Sequence, residues 1–93
     1  MATKKVNFEV TPKDGTQAYW ISVDEDDVTL VNGRGSINVD DKIDHLLIWW
    51  FTGNSGGKLS IVGKVGQKTV VEVKESKIPK GKTRGAGKKD IVF

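Results

Sequence analysis

The chain has 93 residues, with 15 Lys and Arg, 12 Asp and Glu, one His, no Cys and a formal net charge of +3. The absence of Cys excludes disulfide frameworks, thiolate zinc sites and cysteine nucleophiles. No apolar run approaches the ~20 residues that span a bilayer, and the length predicts one domain with one modest core.

Short alternating apolar runs separated by Gly or Asp predict an all-β domain. The strands are expected at 4–11, 17–24, 28–31, 35–40, 44–52, around Leu59 and Ile61, at 68–75, and around Ile91 and Phe93. Asn32-Gly33 is typical of a two-residue hairpin. About seven to eight strands in 93 residues favour a single small antiparallel β-sandwich over residues 1–93, immunoglobulin-like or jelly-roll-like, with a small barrel as the alternative.

Residues 76–89 interrupt the strand pattern with six cations and no acid. This length exceeds the usual hairpin connection, so we expect a basic, Gly-rich loop. One interpretation is a mobile, solubilising loop, and the other is an anion-binding surface. Because the segment has no aromatic side chain on which bases stack, nucleic acid is not the partner that this segment predicts.

The charge is divided along the chain. Residues 1–50 carry five Lys and Arg against nine Asp and Glu, whereas residues 51–93 carry ten against three. If every short connection reverses the strand direction, the loops at 12–16, 32–34, 53–57 and 76–89 share one end, and those at 24–27, 40–43 and 63–67 share the other. The first end would collect cations, namely Lys13, Arg34, Lys77, Lys80, Lys82, Arg84, Lys88 and Lys89.

The opposite end would collect carboxylates. The simpler interpretation is solvated turn residues that also protect strand edges. The alternative is a Ca²⁺ site, since calcium takes six to eight oxygen ligands. Its candidate ligands would be Asp24, Asp26, Asp27, Asp40 and Asp41. The spacing departs from the EF-hand pattern at Val28, and no other metal or cofactor is predicted.

Strand 44–52 is apolar on both faces. With a period of two, His45, Leu47, Trp49 and Phe51 point one way, and Leu46, Ile48 and Trp50 point the other way. Such a strand needs cover on both sides. Trp20 is expected to face outward from strand 17–24, so it could form an aromatic patch with Trp49 or Trp50. The patch would serve as an interface anchor or a carbohydrate platform, unless all three Trp belong to the core.

These patterns favour a non-catalytic interaction module that contacts protein partners or itself through the aromatic sheet face and the basic loop. Catalysis is not predicted, because the lone His45 lies in an apolar strand and no nucleophile elbow is present. The alternatives are a carbohydrate-binding domain and a Ca²⁺-dependent binder. Self-association would be head to tail through the unlike ends or two-fold through the aromatic face. Without a signal peptide or Cys, we expect a cytoplasmic protein, or a fragment of a larger or exported one.

Overall fold

The computed structural model describes residues 3–93, and these residues form eight β-strands. The strands are β1 (Thr3–Lys13), β2 (Thr16–Val23), β3 (Asp26–Val28), β4 (Arg34–Asp40), β5 (His45–Gly53), β6 (Lys58–Val65), β7 (Lys68–Lys77) and β8 (Arg84–Ile91). Within residues 3–93 there is no helix long and apolar enough to cross a membrane.

The strands form two antiparallel sheets that pack face to face. The β1 sheet has the order β4-β1-β6-β7, and the β5 sheet has the order β3-β2-β5-β8. Only the β2–β3 and β6–β7 connections stay within one sheet, and every other connection passes from one sheet to the other. This architecture confirms the predicted small antiparallel β-sandwich. The first two strands lie in different sheets, whereas the immunoglobulin order keeps them side by side.

The core lies between the two sheets and follows the alternation of the sequence. Val6, Phe8 and Val10 point inward from β1, while the residues between them are exposed. Leu47 and Phe51 point inward from β5 and are completely buried. Burial of each large apolar side chain stabilises the fold by about 1.5–3 kcal/mol, so these two central strands contribute much of the stability.

Asn32-Gly33 forms the predicted two-residue turn. Both residues have positive φ angles, 54° and 79°, as a type I′ turn requires. Val31 and Arg34 exchange backbone hydrogen bonds of 2.8 and 3.1 Å across it. The Val10 N–H donates to the Gly33 carbonyl at 2.7 Å, which fixes the turn against β1.

The sandwich is elongated, with extents of 46 × 21 × 19 Å, and its connections alternate between the two ends. At one end the Asn54 N–H donates to the Gly15 carbonyl, and the Gly56 N–H donates to the Ile78 carbonyl. At the other end the Asp24 N–H donates to the Leu46 carbonyl. The expected separation of the acidic turn at 24–25 from the 78–83 connection is therefore confirmed.

The predicted basic loop at 76–89 is wrong in its extent. Strand β7 continues to Lys77 and β8 begins at Arg84, so the loop covers only 78–83. Lys88 and Lys89 belong to β8 and lie toward the acidic end. The sequence conceals most of this strand because two of its inward positions are glycines. A Cβ on Gly85 would lie 2.6 Å from Phe51 Cζ, and one on Gly87 would lie 2.3 Å from Trp49 Cζ2.

Candidate functional site

The outer face of the β5 sheet carries two exposed tryptophans. Trp20 on β2 is 46% exposed and Trp50 on β5 is 37% exposed. Trp49 instead points into the core at 6% exposure, where its indole N–H donates to Ser76 Oγ at 3.1 Å. The structure therefore brings Trp20 and Trp50 together on the surface and separates Trp49 from them.

Trp20 and Trp50 lie directly opposite each other in the pairing of β2 with β5. Their ring centroids are 6.3 Å apart and the ring planes are inclined by 21°, which is a stacked arrangement. Stacked aromatic pairs contribute about 0.5–1.5 kcal/mol beyond the area that they bury. Each ring thus restricts its neighbour, and the pair is a preorganised surface feature on two paired strands.

The tryptophans belong to a larger apolar patch with charged edges. Leu46 and Ile48 are half-buried on the same face of β5 as Trp50, and Ala86 lies opposite Trp50 on β8. We call these five residues the aromatic surface: Trp20, Leu46, Ile48, Trp50 and Ala86. Asp27 at the β3 edge and Arg84 and Lys88 at the β8 edge flank this surface, and all three are exposed.

The outer face of the β1 sheet has a different character. Its exposed positions on β1 are Lys5, Asn7 and Glu9, and Ser36 and Lys64 extend this polar surface onto the neighbouring strands. A sheet with one solvated face normally shows this composition. The aromatic surface therefore distinguishes the outer face of the β5 sheet.

The loop at 78–83 is anchored to the loop that precedes β6. Ser55 Oγ accepts a hydrogen bond of 2.6 Å from the Gly81 N–H and donates to the Pro79 carbonyl at 3.3 Å. The Ile78 side chain is 1% exposed. Lys80 and Lys82 therefore project from a loop that is held at both its base and its tip.

We expect Ser55→Ala to release this loop while the sandwich stays folded. The variant loses the acceptor for the Gly81 N–H, so exchange of that amide should accelerate by about tenfold, the equivalent of about 1.4 kcal/mol. Hydrogen exchange measured by NMR is the direct test. Ser60→Ala is the matched control, because Ser60 Oγ donates to the Lys74 carbonyl of β7 at 2.8 Å and does not contact the 78–83 loop. Equal exchange of Gly81 in wild type and Ser55→Ala would contradict the anchoring role.

The predicted basic residues do not form one continuous patch. Lys80, Lys82 and Arg84 lie in or beside the loop, and no ion pair forms with them among residues 3–93. Lys77 is 3.8 Å from a Glu75 carboxylate oxygen. Arg34 lies on β4, at the opposite edge of the β1 sheet from β7, and the Lys89 ammonium donates to the Glu72 carbonyl at 2.7 Å.

Two acids also lie within the cationic end. Lys58 Nζ is 3.2 Å from Asp14 and 3.3 Å from Glu75. The hydrogen bonds to these carboxylates, Asp14 first, raise the pKa of Lys58 above its usual value. The cationic end is therefore partly neutralised, and its accessible charge is concentrated at the 78–83 loop.

The five acids considered as calcium ligands do not converge. Asp26 and Asp27 lie on β3, paired with Val23 and Ser22, whereas Asp40 ends β4 on the other sheet. Within residues 3–93 no group of three or more His, Asp or Glu side chains is arranged to hold a metal ion.

Asp24 is instead hydrogen-bonded to His45. One Asp24 oxygen contacts His45 Nδ1, and the other accepts the Leu46 N–H at 2.8 Å. His45 is 5% exposed, and its Nε2 is 2.5 Å from the Asp40 carbonyl oxygen. Because both ring nitrogens face acceptors, the charged imidazolium satisfies both hydrogen bonds.

The pKa values of this pair follow from its surroundings. Burial disfavours the charged imidazolium, but the hydrogen bonds to Asp24 and Asp40 and the nearby negative charges outweigh burial, so the His45 pKa is raised. Burial likewise opposes the Asp24 carboxylate, but the hydrogen bonds from His45 and Leu46 lower its pKa. The arrangement is a structural ion pair between the β2–β3 turn and the start of β5.

Sequence reasoning missed two parts of this picture. The sequence predicts Asp27 in the 24–27 turn, but Asp27 lies on β3 beside the aromatic surface. The His45–Asp24 contact joins residues 21 positions apart, and no local spacing indicates it. The aromatic surface with its charged edges is the candidate functional site, and no protein-family model, curated protein or solved structure matches this chain.

Proposed function

We propose that the protein is a non-catalytic protein-binding module and that the aromatic surface is its contact site. The observation that carries this proposal is the stacked Trp20–Trp50 pair, which stays 46% and 37% exposed at the centre of an apolar sheet face. Trp is enriched among the residues that dominate binding energy at protein interfaces. An exposed pair on a rigid sheet is therefore a suitable anchor.

The surroundings of the pair also support a protein partner. Protein interfaces combine an apolar centre that is poor in charge with a polar, accessible rim. Here Ile48 and Ala86 extend the apolar centre, while Asp27 and Lys88 provide rim charges of both signs. The stacking of the two indoles also reduces the ring area open to a sugar, so a protein is the better fit.

The 78–83 loop has a secondary role in this proposal. Arg84 follows the loop directly and lies opposite Thr52, on the strand that carries Trp50. Lys80 and Lys82 extend the positive potential beyond the edge of the sheet. Rim charges of this kind mainly change the association rate and its salt dependence, so the loop would make binding at the aromatic surface depend on the salt concentration.

Site-specific photo-crosslinking tests the proposal. A benzophenone-bearing amino acid replaces Ala86, which is exposed on an edge strand beside Trp50. The matched control places the same group at Asn38, which is exposed on the edge strand β4 of the other sheet. Cells that express each variant are irradiated. The variant with the crosslinker at residue 86 should form discrete protein adducts, and the variant with the crosslinker at residue 38 should form none.

The mass of the adduct then identifies the class of partner. Adducts from both positions in equal amounts, or from neither, would contradict the proposal. A glycan adduct at position 86, detected by mass spectrometry, would replace it with the carbohydrate alternative. A discrete protein adduct that disappears when Trp20 and Trp50 are both replaced by Ala is the expected result.

A further inference from the structure

We infer that the aromatic surface binds a second copy of this chain, in a two-fold dimer whose axis runs parallel to the strands between β2 and β5. The inference rests on the proposed function, since it names the partner of the same surface. Two observations support the inference: the order of charged residues across the β5 sheet and the central position of the tryptophan pair.

One row of paired residues crosses all four strands of this sheet. Asp27 on β3 pairs with Ser22 on β2. Ser22 pairs with Ile48 on β5, and Ile48 pairs with Lys88 on β8. Directly paired residues in antiparallel strands share one face, so this outer row has an acid at one edge and a base at the other. Neither Asp27 nor Lys88 forms an ion pair within residues 3–93.

The tryptophan pair lies in the next row, on the two central strands. A two-fold axis midway between β2 and β5 therefore passes between Trp20 and Trp50 and brings four indoles together. The same axis reverses the charged row of the second copy. Lys88 of each copy then faces Asp27 of the other, and two equivalent ion pairs flank the aromatic centre. Such an interface is closed and isologous, and it has the aligned geometry in which twisted sheets pack.

The charges disfavour the other symmetric arrangement. A two-fold axis could also lie in the plane of the interface and run perpendicular to the strands. It would place β8 of one copy over β8 of the other. Lys88 and Arg84 of each copy would then meet the same cations of the other, at a cost in like-charge repulsion. The row from Asp27 to Lys88 thus favours the axis that is parallel to the strands.

Head-to-tail association is also disfavoured. At the cationic end Asp14 and Glu75 already neutralise Lys58. At the acidic end Asp24 is engaged by His45. Each end therefore satisfies part of its charge internally, whereas Asp27 and Lys88 remain available at the edges of the aromatic surface.

The area of this face limits the contact that the dimer can make. Four strands at about 4.8 Å spacing and nine residues at about 3.3 Å rise give a face of about 30 Å by about 19 Å. The dimer would bury about 1,000 Å² in total, which is near the lower limit for a specific interface. Asp90, one row closer to the acidic end, would face the acidic 24–25 turn of the second copy and weaken binding. We therefore expect a dissociation constant in the micromolar range or weaker.

Charge reversal and complementation test the geometry. Sedimentation velocity of the full chain from about 1 μM to about 1 mM should show a transition from 10.2 kDa to twice that mass. Lys88→Glu and Asp27→Lys should each weaken dimerisation by at least about tenfold, since each makes both rim contacts repulsive. An equimolar mixture of the two variants should recover the dimer, because both of its rim contacts are again attractive.

Lys64→Glu is the matched control, since Lys64 is exposed on the outer face of the other sheet. It should leave the dissociation constant unchanged, and thermal melts should show that all variants are folded. A monomeric wild type at every concentration, or a mixture that stays monomeric, would overturn the dimer. If Ala86 still crosslinks to a protein of another mass, only the identity of the partner is wrong. If no adduct forms at that position, the proposed function fails as well.

Discussion

Gly87→Ala should lower the free energy of unfolding by about 2–3 kcal/mol, at the upper end of the cost of overpacking a core. The new Cβ would lie 2.3 Å from Trp49 Cζ2 and 2.7 Å from Cε2, so either the indole or β8 must move. The indole is restrained by its 3.1 Å hydrogen bond to Ser76. Chemical denaturation followed by circular dichroism measures the loss.

The adjacent residue provides the control for Gly87→Ala. Ala86 lies on the opposite face of the same strand and is exposed, so Ala86→Val adds more volume without entering the core. We expect its unfolding free energy to stay within about 0.5 kcal/mol of the wild type. Equal losses in both variants would mean that β8 tolerates no added side chain anywhere. That result would contradict a specific role for the contact between Gly87 and Trp49.

Stability should be highest at mildly acidic pH and fall on both sides. The folded-state pKa of His45 is raised above its usual 6.5, so its contribution is complete below pH 6.5 and is lost as the pH rises through the folded value. The folded-state pKa of Asp24 is lowered from 3.8, so its contribution is complete above that pH and is lost as the pH falls through the folded value. Denaturation midpoints measured from pH 3 to pH 9 should show this maximum.

Asp24→Asn should remove this pH dependence. The amide places an NH2 donor where one of the two accepting carboxylate oxygens stood, so it loses the contact with either His45 Nδ1 or the Leu46 N–H. We therefore expect a loss of about 1–3 kcal/mol at pH 6. Asp26→Asn makes the same change of charge on the neighbouring strand and should have little effect. NMR titration of the His45 imidazole checks the mechanism directly. An unshifted His45 pKa in the wild type would contradict it.

The sequence was most informative where side chains alternate or where a turn needs positive φ. Val6, Phe8 and Val10 mark β1 correctly because one face of that strand is core and the other is solvated. Asn32-Gly33 identifies its turn because few other pairs adopt two consecutive left-handed conformations. The last strand is predicted only around Ile91 and Phe93, because Gly85 and Gly87 carry no side chain and the rings of β5 set the need for these glycines.

The candidate site could be predicted only in part. Alternation placed Trp20 outward, but alternation alone could not decide between Trp49 and Trp50 on a strand with two apolar faces. That choice depends on which face meets the β1 sheet. The row from Asp27 to Lys88 depends on the pairing of β2 with β5 and of β5 with β8, and these strands are distant in sequence. Pairwise register of this kind is not encoded in any local window.

Because the chain passes repeatedly from one sheet to the other, most strand pairs join residues that are distant in sequence, which slows folding. Strand β1 lies between β4 and β6, so its pairing of Asn7 with Lys64 closes a segment of more than fifty residues. Only β2–β3 and β6–β7 pair strands that follow each other in the chain, so only these two hairpins can form locally. Every other strand pair must first close a long segment, which costs conformational entropy. High contact order of this kind is typical of domains that fold in milliseconds to seconds. A ribosome must therefore release nearly the whole domain before the β1 sheet can assemble, and shortened chains would lack independently stable substructures.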